Sequence, residues 1–406
     1  MHARNHPCFF PVAMALAIGS ASCDGREARP ADFAEMELRA EDLPAAPTNA
    51  YADDARAAAL GQRLFFDRGL SSEGTIACVS CHDPTQGFSD PKSRSVGVRE
   101  QLGDRHAMPI TAAVFHPYLL WDGKADSPWL QPLKALENPK EMDFTRVEVA
   151  RYVSITHRAE YEAIFGPLPD LSEAPARALP GDDAWERMPE PLRDQVQRVF
   201  ANVGKAIEAY ERKLLCADTR FDRWVRGEEQ LSDAELEGGA MFLREECDGC
   251  HSGPSLSDGV FHNIGLPSAD LGRAIGAPAL LSDPFNGAGA YSDDPQAGQA
   301  KLDLVSTEGA QEGAFRTASL RGVGQRTFFG HAAHEQSLEG FLRDVYRGRG
   351  RGGRGDDGRT ATVGALDPKL DGVDVDGDDV EDLVAFLHTM DCPAPAAELL
   401  TLSETP

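Results

Sequence analysis

Apolar residues recur along this chain mostly at helical spacing, and strand-like alternation is scarce. Asp53 to Phe66 predicts a helix with Leu60, Leu64 and Phe65 on one side. Pro191 to Leu215 reads as a long amphipathic stretch. Ser232-Asp233-Ala234-Glu235 is a capping box, in which the Ser and Glu side chains each satisfy a free backbone amide. It opens a helix running to about Glu246. Val380 to Met390 predicts a closing helix. Two stretches lack the period. Ser282 to Gly313, rich in Gly, Asp and Ser, reads as a long surface loop. Arg347 to Arg359, with five arginines among glycines, reads as a flexible loop.

The first residues follow a different rule. A short charged start containing Arg4 leads into an apolar run from Phe9 to Ile18 and then Gly19-Ser20-Ala21-Ser22-Cys23. That is the layout of an export signal, and the run is too short to span a bilayer. Two cleavage modes stay open. Ordinary cleavage is one. Cleavage before Cys23, leaving a lipidated cysteine, is the other, although Ser20 stands where such sites usually carry Leu. No later segment is long and apolar enough to span a membrane.

With 406 residues there is room for two or three domains. The formal net charge of −26 repels nucleic acid and anionic lipid. It suits a basic protein partner, or simply a solvated surface.

The eight cysteines sort into classes. Cys8 and Cys23 belong to the signal. Cys216 and Cys392 are either a disulfide, as an oxidising compartment allows, or two separate thiols. The other four form Cys78-Val79-Ser80-Cys81-His82 and Cys247-Asp248-Gly249-Cys250-His251, two complete C-x-x-C-H motifs. Two thiols on one turn can form thioethers to both vinyl groups of a haem, and the adjacent histidine then lies beneath the iron. A zinc knuckle or a redox dithiol would not need the histidine twice. Each motif follows a predicted helix. The fold expected is mainly α: two cytochrome c-like helical domains, each wrapping one covalent haem, with long loops. Their expected bounds are 51–225 and 226–392, after a signal at 1–23 and a linker at 24–50, and before a tail at 393–406.

Further motifs surround these. Leu60-Gly61-Gln62-Arg63-Leu64-Phe65-Phe66-Asp67 precedes the first haem motif, and Gly87-Phe88-Ser89-Asp90 follows it. Leu120-Trp121-Asp122-Gly123-Lys124-Ala125 and Asn138-Pro139-Lys140-Glu141-Met142 come next. Arg220-Phe221-Asp222, Phe261-His262-Asn263-Ile264-Gly265 and Thr317-Ala318-Ser319-Leu320-Arg321 flank the second. In this order they resemble the di-haem cytochrome c peroxidase family, which includes the MauG-type enzymes, over about residues 50 to 392. The resemblance implies a peroxidatic haem on His82 and an electron-transfer haem on His251. It implies that Trp121 relays electrons between them, and that Gln131 and Glu141 form the distal pocket. A carboxylate there can carry a proton between the two oxygens of peroxide, and a neutral amide can orient peroxide without adding charge.

The chain departs from the family pattern at three places. The spacing of the family's distal histidine, counted on from His82, lands on Val98, which cannot bind iron. His106 is then either a substitute ligand or a loop residue packed between the haems. The second haem of the peroxidases usually takes methionine as sixth ligand, and MauG-type enzymes take tyrosine. This chain has no methionine between Met241 and Met390. Tyr346 is the expected ligand, with Val345 at the ungapped count and His331 and His334 as alternatives. Tyrosinate stabilises higher iron oxidation states, whereas methionine favours reduced iron. The family's interdomain calcium uses an asparagine where this chain has His106. Asp374-Val375-Asp376-Gly377-Asp378 resembles only a fragment of a calcium loop.

Three functions follow as expectations. The first is a periplasmic peroxidase that reduces hydrogen peroxide with electrons from a small cytochrome c or cupredoxin. The second is a MauG-type enzyme that oxidises a Trp or Tyr of a partner protein. The third, a di-haem electron carrier, has no use for Glu141 and Gln131.

Overall fold

The computed structural model describes residues 27–309, 311–346, 363–375, 377 and 379–400. The expected export segment with Cys23, the arginine-rich loop 347–359 and parts of Asp374–Asp378 lie outside the described residues. The fold is mainly helical, as expected. In chain order the helices are α1 (Ala55–Phe66), α2 (Leu130–Glu137), α3 (Arg146–Thr156), α4 (Arg158–Phe165), α5 (Asp183–Glu186), α6 (Glu190–Glu211) and α7 (Arg220–Val225). Then come α8 (Asp233–Arg244), α9 (Arg273–Leu281), α10 (Pro295–Leu302), α11 (Leu338–Tyr346), α12 (Asp379–His388) and α13 (Ala397–Leu400). The sheet is a two-residue antiparallel pair, Phe261–His262 against Phe315–Arg316.

Local signals set the helix ends. The Asp54 carboxylate accepts from the Arg56 amide at 2.7 Å and starts α1. At α8 the capping box forms in both directions, Glu235 N to Ser232 Oγ at 3.3 Å and Ser232 N to Glu235 Oε2 at 2.8 Å.

Two helix crossings organise the two halves. α1 lies on α6, and a Cβ on Gly61 would stand 1.8 Å from the Ala206 carbonyl oxygen. α8 lies on α12, and a Cβ on Gly238 would stand 1.9 Å from the Asp382 carbonyl oxygen. Only glycine allows backbones this close. Each crossing carries its haem motif just downstream. Leu64, Phe65, Trp129, Leu133 and Phe200 fill the first core. Phe33, Phe221, Trp224, Phe242 and Phe386 fill the second.

Several expectations about segments are corrected. The stretch 24–50 is not simply a linker. Phe33 is 1 % exposed and its ring lies 5.4–6.2 Å from Phe221, Trp224, Phe242 and Phe386. Burying such a side chain is worth about 1.5–3 kcal/mol. Leu38 N donates to Asp222 Oδ1 at 2.9 Å, and the Met36 carbonyl accepts from Arg321 Nη2 at 2.9 Å. α7, placed by sequence in the first domain, packs in the second core. The stretch from Ser282 to Gly313 is not only surface loop. It contains α10, capped by Asp294, and Phe285, Tyr291 and Leu302 pack in the first core. Its few apolar residues are too widely spaced to register as a period. The described part of the tail, 393–400, returns to the first half, where Tyr210 Oη donates to the Leu399 carbonyl at 2.6 Å. Residues 33–38 and Leu399 thus brace opposite halves.

Cys216 and Cys392 form a disulfide. Beside it, Arg321 and Asp222, both wholly buried, form an ion pair at 2.9 Å. Asp222 also accepts from Thr219 and Leu38. The charges are tolerated in the core because nearly every donor and acceptor is used.

Candidate active site

Both C-x-x-C-H segments begin on a single 3-10 turn, Cys78–Ser80 and Cys247–Gly249. The same hydrogen bonds hold both histidines. His82 N donates to the Cys78 carbonyl at 3.0 Å and His251 N to the Cys247 carbonyl at 2.8 Å. His82 Nδ1 lies 3.1 Å from the Phe88 carbonyl, and His251 Nδ1 lies 3.1 Å from the Leu256 carbonyl. A carbonyl only accepts, so each Nδ1 carries the proton and each Nε2 presents a lone pair. Burial lowers the pKa of His82 and takes that of His251 to about 4, so both rings are neutral. Burial also pushes Cys81 up to about 11 and Cys247 to about 12. These surroundings suit a neutral sulfur, as in a thioether, better than a zinc thiolate.

A cavity of about 340 Å³ opens over the second motif. Cys247, Cys250 and His251 line one side, and Leu342, Tyr346 and Leu383 another. Two thiols, a bare imidazole nitrogen and an apolar wall are what a covalent haem requires. Tyr346 is the last residue of α11 and half-buried, whereas Val345 is 5 % exposed in the core. Tyr346, not the ungapped Val345, therefore lines the cavity.

Glu141 lies beside the first motif. Its carboxylate contributes to raising the pKa of both Cys78 and Cys81, after the larger effect of burial. It accepts from Asn138 Nδ2 at 2.7 Å. Its own pKa is raised, first by burial, against the pull of Lys124 and that hydrogen bond. Val98 is buried and its amide donates to the Glu141 carbonyl at 2.9 Å. Gln131 stands in the first turn of α2, partly buried, with its side chain in no described hydrogen bond to Glu141.

His106 is held on both sides. Nδ1 lies 3.2 Å from the Lys92 carbonyl and Nε2 3.2 Å from Ser89 Oγ. This is the geometry of a packing residue rather than a ligand. Trp121 Nε1 donates to the His106 carbonyl at 2.8 Å. The indole reaches from the first half to the wall of the second cavity. There it meets His331, which is 1 % exposed, stacks on Phe315 at 3.6 Å and has neither ring nitrogen hydrogen-bonded. His334 instead places Nε2 3.1 Å from the Pro267 carbonyl.

Sequence reasoning missed several residues here. Met108 lines the second cavity from the other half of the chain, so a methionine stands there after all. Its sulfur accepts from Arg316 Nη2 at 3.1 Å. Arg316 and Arg326 line it too, and they converge with His116 on a small neighbouring cavity. The signal that could have found them is a duplicated loop. Leu119 bridges Ala125, and Phe329 bridges Glu335, across the same span. Positive φ occurs at Leu120 and Gly123 in one copy and at Gly330 and Ala333 in the other. Trp121 matches His331, and His116 matches Arg326, yet the copies share almost no residue identities.

Two helical halves, each presenting a half-buried C-x-x-C-H turn to its own core, fit a two-centre c-type haem protein. The family model for di-haem cytochrome c peroxidases matches residues 55–230. The methylamine utilization protein MauG of Methylophilus methylotrophus is 32% identical over 230 residues, 55% of this chain and 61% of that protein. That alignment therefore spans under two thirds of the relative. The cytochrome c551 peroxidase of Pseudomonas aeruginosa is 26% identical, over 84% of this chain and 80% of that protein. A crystal structure of a MauG-like protein associated with microbial copper homeostasis superposes with a TM-score of 0.63 at 26% identity, covering 89% of this chain and 97% of that one. Over these spans the chain is similar to the di-haem cytochrome c peroxidases and to MauG.

Proposed function

We propose that the chain is an exported, periplasmic di-haem peroxidase that reduces hydrogen peroxide to water with electrons passed through a second haem. The observation that carries this reading is the matched pair His82 and His251, each neutral, half-buried and oriented by a carbonyl so that Nε2 presents a lone pair. Cys78 and Cys81 would hold one haem, Cys247 and Cys250 the other. The haems supply the redox chemistry that protein side chains lack. Glu141 takes a proton from one oxygen of peroxide and returns it to the leaving oxygen. Gln131 orients the substrate. Trp121 spans the junction and relays electrons between the halves. The Cys216–Cys392 disulfide supports an oxidising compartment. Attachment to a membrane through Cys23 remains part of the proposal, as does a small cytochrome c or cupredoxin as donor. A basic donor would suit the net charge of −26. Calcium is left out of this reading, because His106 stands in the asparagine's place with both ring nitrogens engaged.

A second reading has specific support. Tyr346 lines the second cavity and Val98 replaces the distal histidine. Both favour a MauG-type enzyme that uses peroxide to oxidise a Trp or Tyr of a partner protein. Electron paramagnetic resonance of the diferric protein, before and after one equivalent of peroxide, separates the readings. One high-spin and one low-spin haem, with loss of both signals on peroxide, favours the second. Two low-spin haems that ignore peroxide until one is reduced favour a reductively activated peroxidase, and the roles given to Val98 and Tyr346 then fall.

A further inference from the structure

Two arginines are buried at the junction of the halves without an acid to match them. Arg316 is 5 % exposed and donates to the Thr317 carbonyl at 3.3 Å, the Leu120 carbonyl at 3.5 Å and the Met108 sulfur at 3.1 Å. Arg326 Nη2 donates to the Ser319 and Arg321 carbonyls at 2.7 Å each, and its Nε is buried without a hydrogen-bond partner. Among the described residues no carboxylate forms an ion pair with either. The contrast is Arg321, which meets Asp222 on two nitrogens. Asp391 pulls on Arg326 only from beyond ion-pair distance. His116 joins the pair, with Nδ1 buried and unpartnered.

Burial drives Arg316 down to about 9 and Arg326 to about 10, with Arg326 adding to the shift at Arg316. The pKa of His116 falls well below its ordinary value, first through burial and then through both arginines. Uncompensated cations in a core are costly, and buried charges are normally paired. The structure thus contains a positive cluster that lacks its anion.

Geometry restricts what that anion is. Arg316, Arg326 and His116 line a cavity of about 10 Å³, room for at most one water. A phosphate or sulfate has no place there. Both arginines also line the large cavity over His251. An anion therefore reaches them from that side, attached to whatever fills the large cavity.

We propose that Arg316 and Arg326 form a carboxylate-binding site for a propionate of the haem held by Cys247 and Cys250. This rests on the haem assignment above and extends it to the charge beside the iron. A propionate fits because it is a carboxylate on a flexible arm, able to pair with planar guanidinium groups. Positive charge here favours the reduced, less positive iron, so the pair raises the reduction potential of this haem. His116 accepts or donates through a bridging water and adds no charge of its own.

The test is a spectroelectrochemical redox titration of the holoprotein and of Arg316→Gln, Arg326→Gln and Arg326→Lys, with mass spectrometry counting attached haems. Both Gln variants are expected to keep two haems while the potential of one falls. At fixed applied potential its ferrous-to-ferric ratio drops about tenfold, which is 59 mV for a one-electron couple. Lys should restore most of the shift. Two haems with both potentials unchanged would overturn the proposal. So would potentials of the unaltered protein that follow phosphate concentration at constant ionic strength, since the occupant would then be a free anion. Loss of haem in the Gln and Lys variants alike would assign the arginines to folding and also overturn it. A mass without haem on Cys247 and Cys250 in the unaltered protein would sink the haem assignment itself.

Discussion

Trp121 and His331 meet with ring centroids 6.3 Å apart and planes at 70°, each at the same position in its copy of a duplicated loop. The backbone ties them as well. Trp121 Nε1 donates to the His106 carbonyl at 2.8 Å, and the His106 amide donates to the His331 carbonyl at 2.9 Å. One loop from each half, and the segment carrying His106, therefore form a single rigid junction beside the second cavity. The ring held there belongs to the half that carries the first haem motif.

That junction makes Trp121 separable from haem attachment. Trp121→Phe removes the indole N–H and with it the proposed relay, but leaves both C-x-x-C-H turns untouched. Haem content and resting spectra should stay as they are, while steady-state peroxide turnover falls about tenfold or more, about 1.4 kcal/mol in barrier. Stopped-flow spectra with one haem reduced in advance would read the transfer directly. An unchanged rate would remove the relay role.

Glu141 should set the acid side of the pH profile. Its pKa is raised by burial, so the base form is lost at a pH above the ordinary glutamate value of about 4.3. Peroxide turnover should therefore decline, as pH falls, from a point above that value. Glu141→Gln should lower kcat by about 10²–10⁴ and abolish this limb. A limb that survives the substitution would belong to another group.

Tyr346→Met would exchange the proposed hard anionic ligand for a soft neutral one. If Tyr346 ligates the second haem, its potential rises and the low-spin electron paramagnetic resonance signal shifts. Reactivity toward peroxide should then require prior reduction of one haem. Spectra identical to those of the unaltered protein would show that the phenol only packs against the cavity, and would bring His331 forward as the ligand.

Glu211, whose carboxylate acts on Cys78 of the first haem motif, offers a stability test. It is buried on α6, and burial, followed by the nearby Glu208, pushes its pKa to about 8. The folded state keeps the proton to about pH 8, while the unfolded chain releases it near pH 4.5. Stability is thus lost progressively between those values. Glu211→Gln removes the titration. Its melting temperature should match the unaltered protein at pH 4 and exceed it at pH 9, by the equivalent of about 2–4 kcal/mol. Equal melting temperatures at both pH values would mean that the carboxyl is solvated.

The sequence by itself determined what depends on neighbours within a turn or two. The haem motifs, the capping box at Ser232 and the helix that opens at Asp54 all rest on side chains a few residues apart. The order of motifs along the chain also carried the resemblance to the di-haem peroxidases. Tertiary structure decided what depends on burial and on partners far away in the chain. Phe33 became core rather than linker only because Phe221, Trp224 and Phe386 leave a space that it fills. His106 changed from a ligand alternative to a packing residue when Lys92 and Ser89 took its nitrogens. Arg316 and Arg326 look like any surface arginines in sequence. Their meaning came from folding, which buried two cations at one junction and supplied no carboxylate. The reason is physical: the cost of a buried charge is set by what surrounds it, and those surroundings come from both halves of the chain.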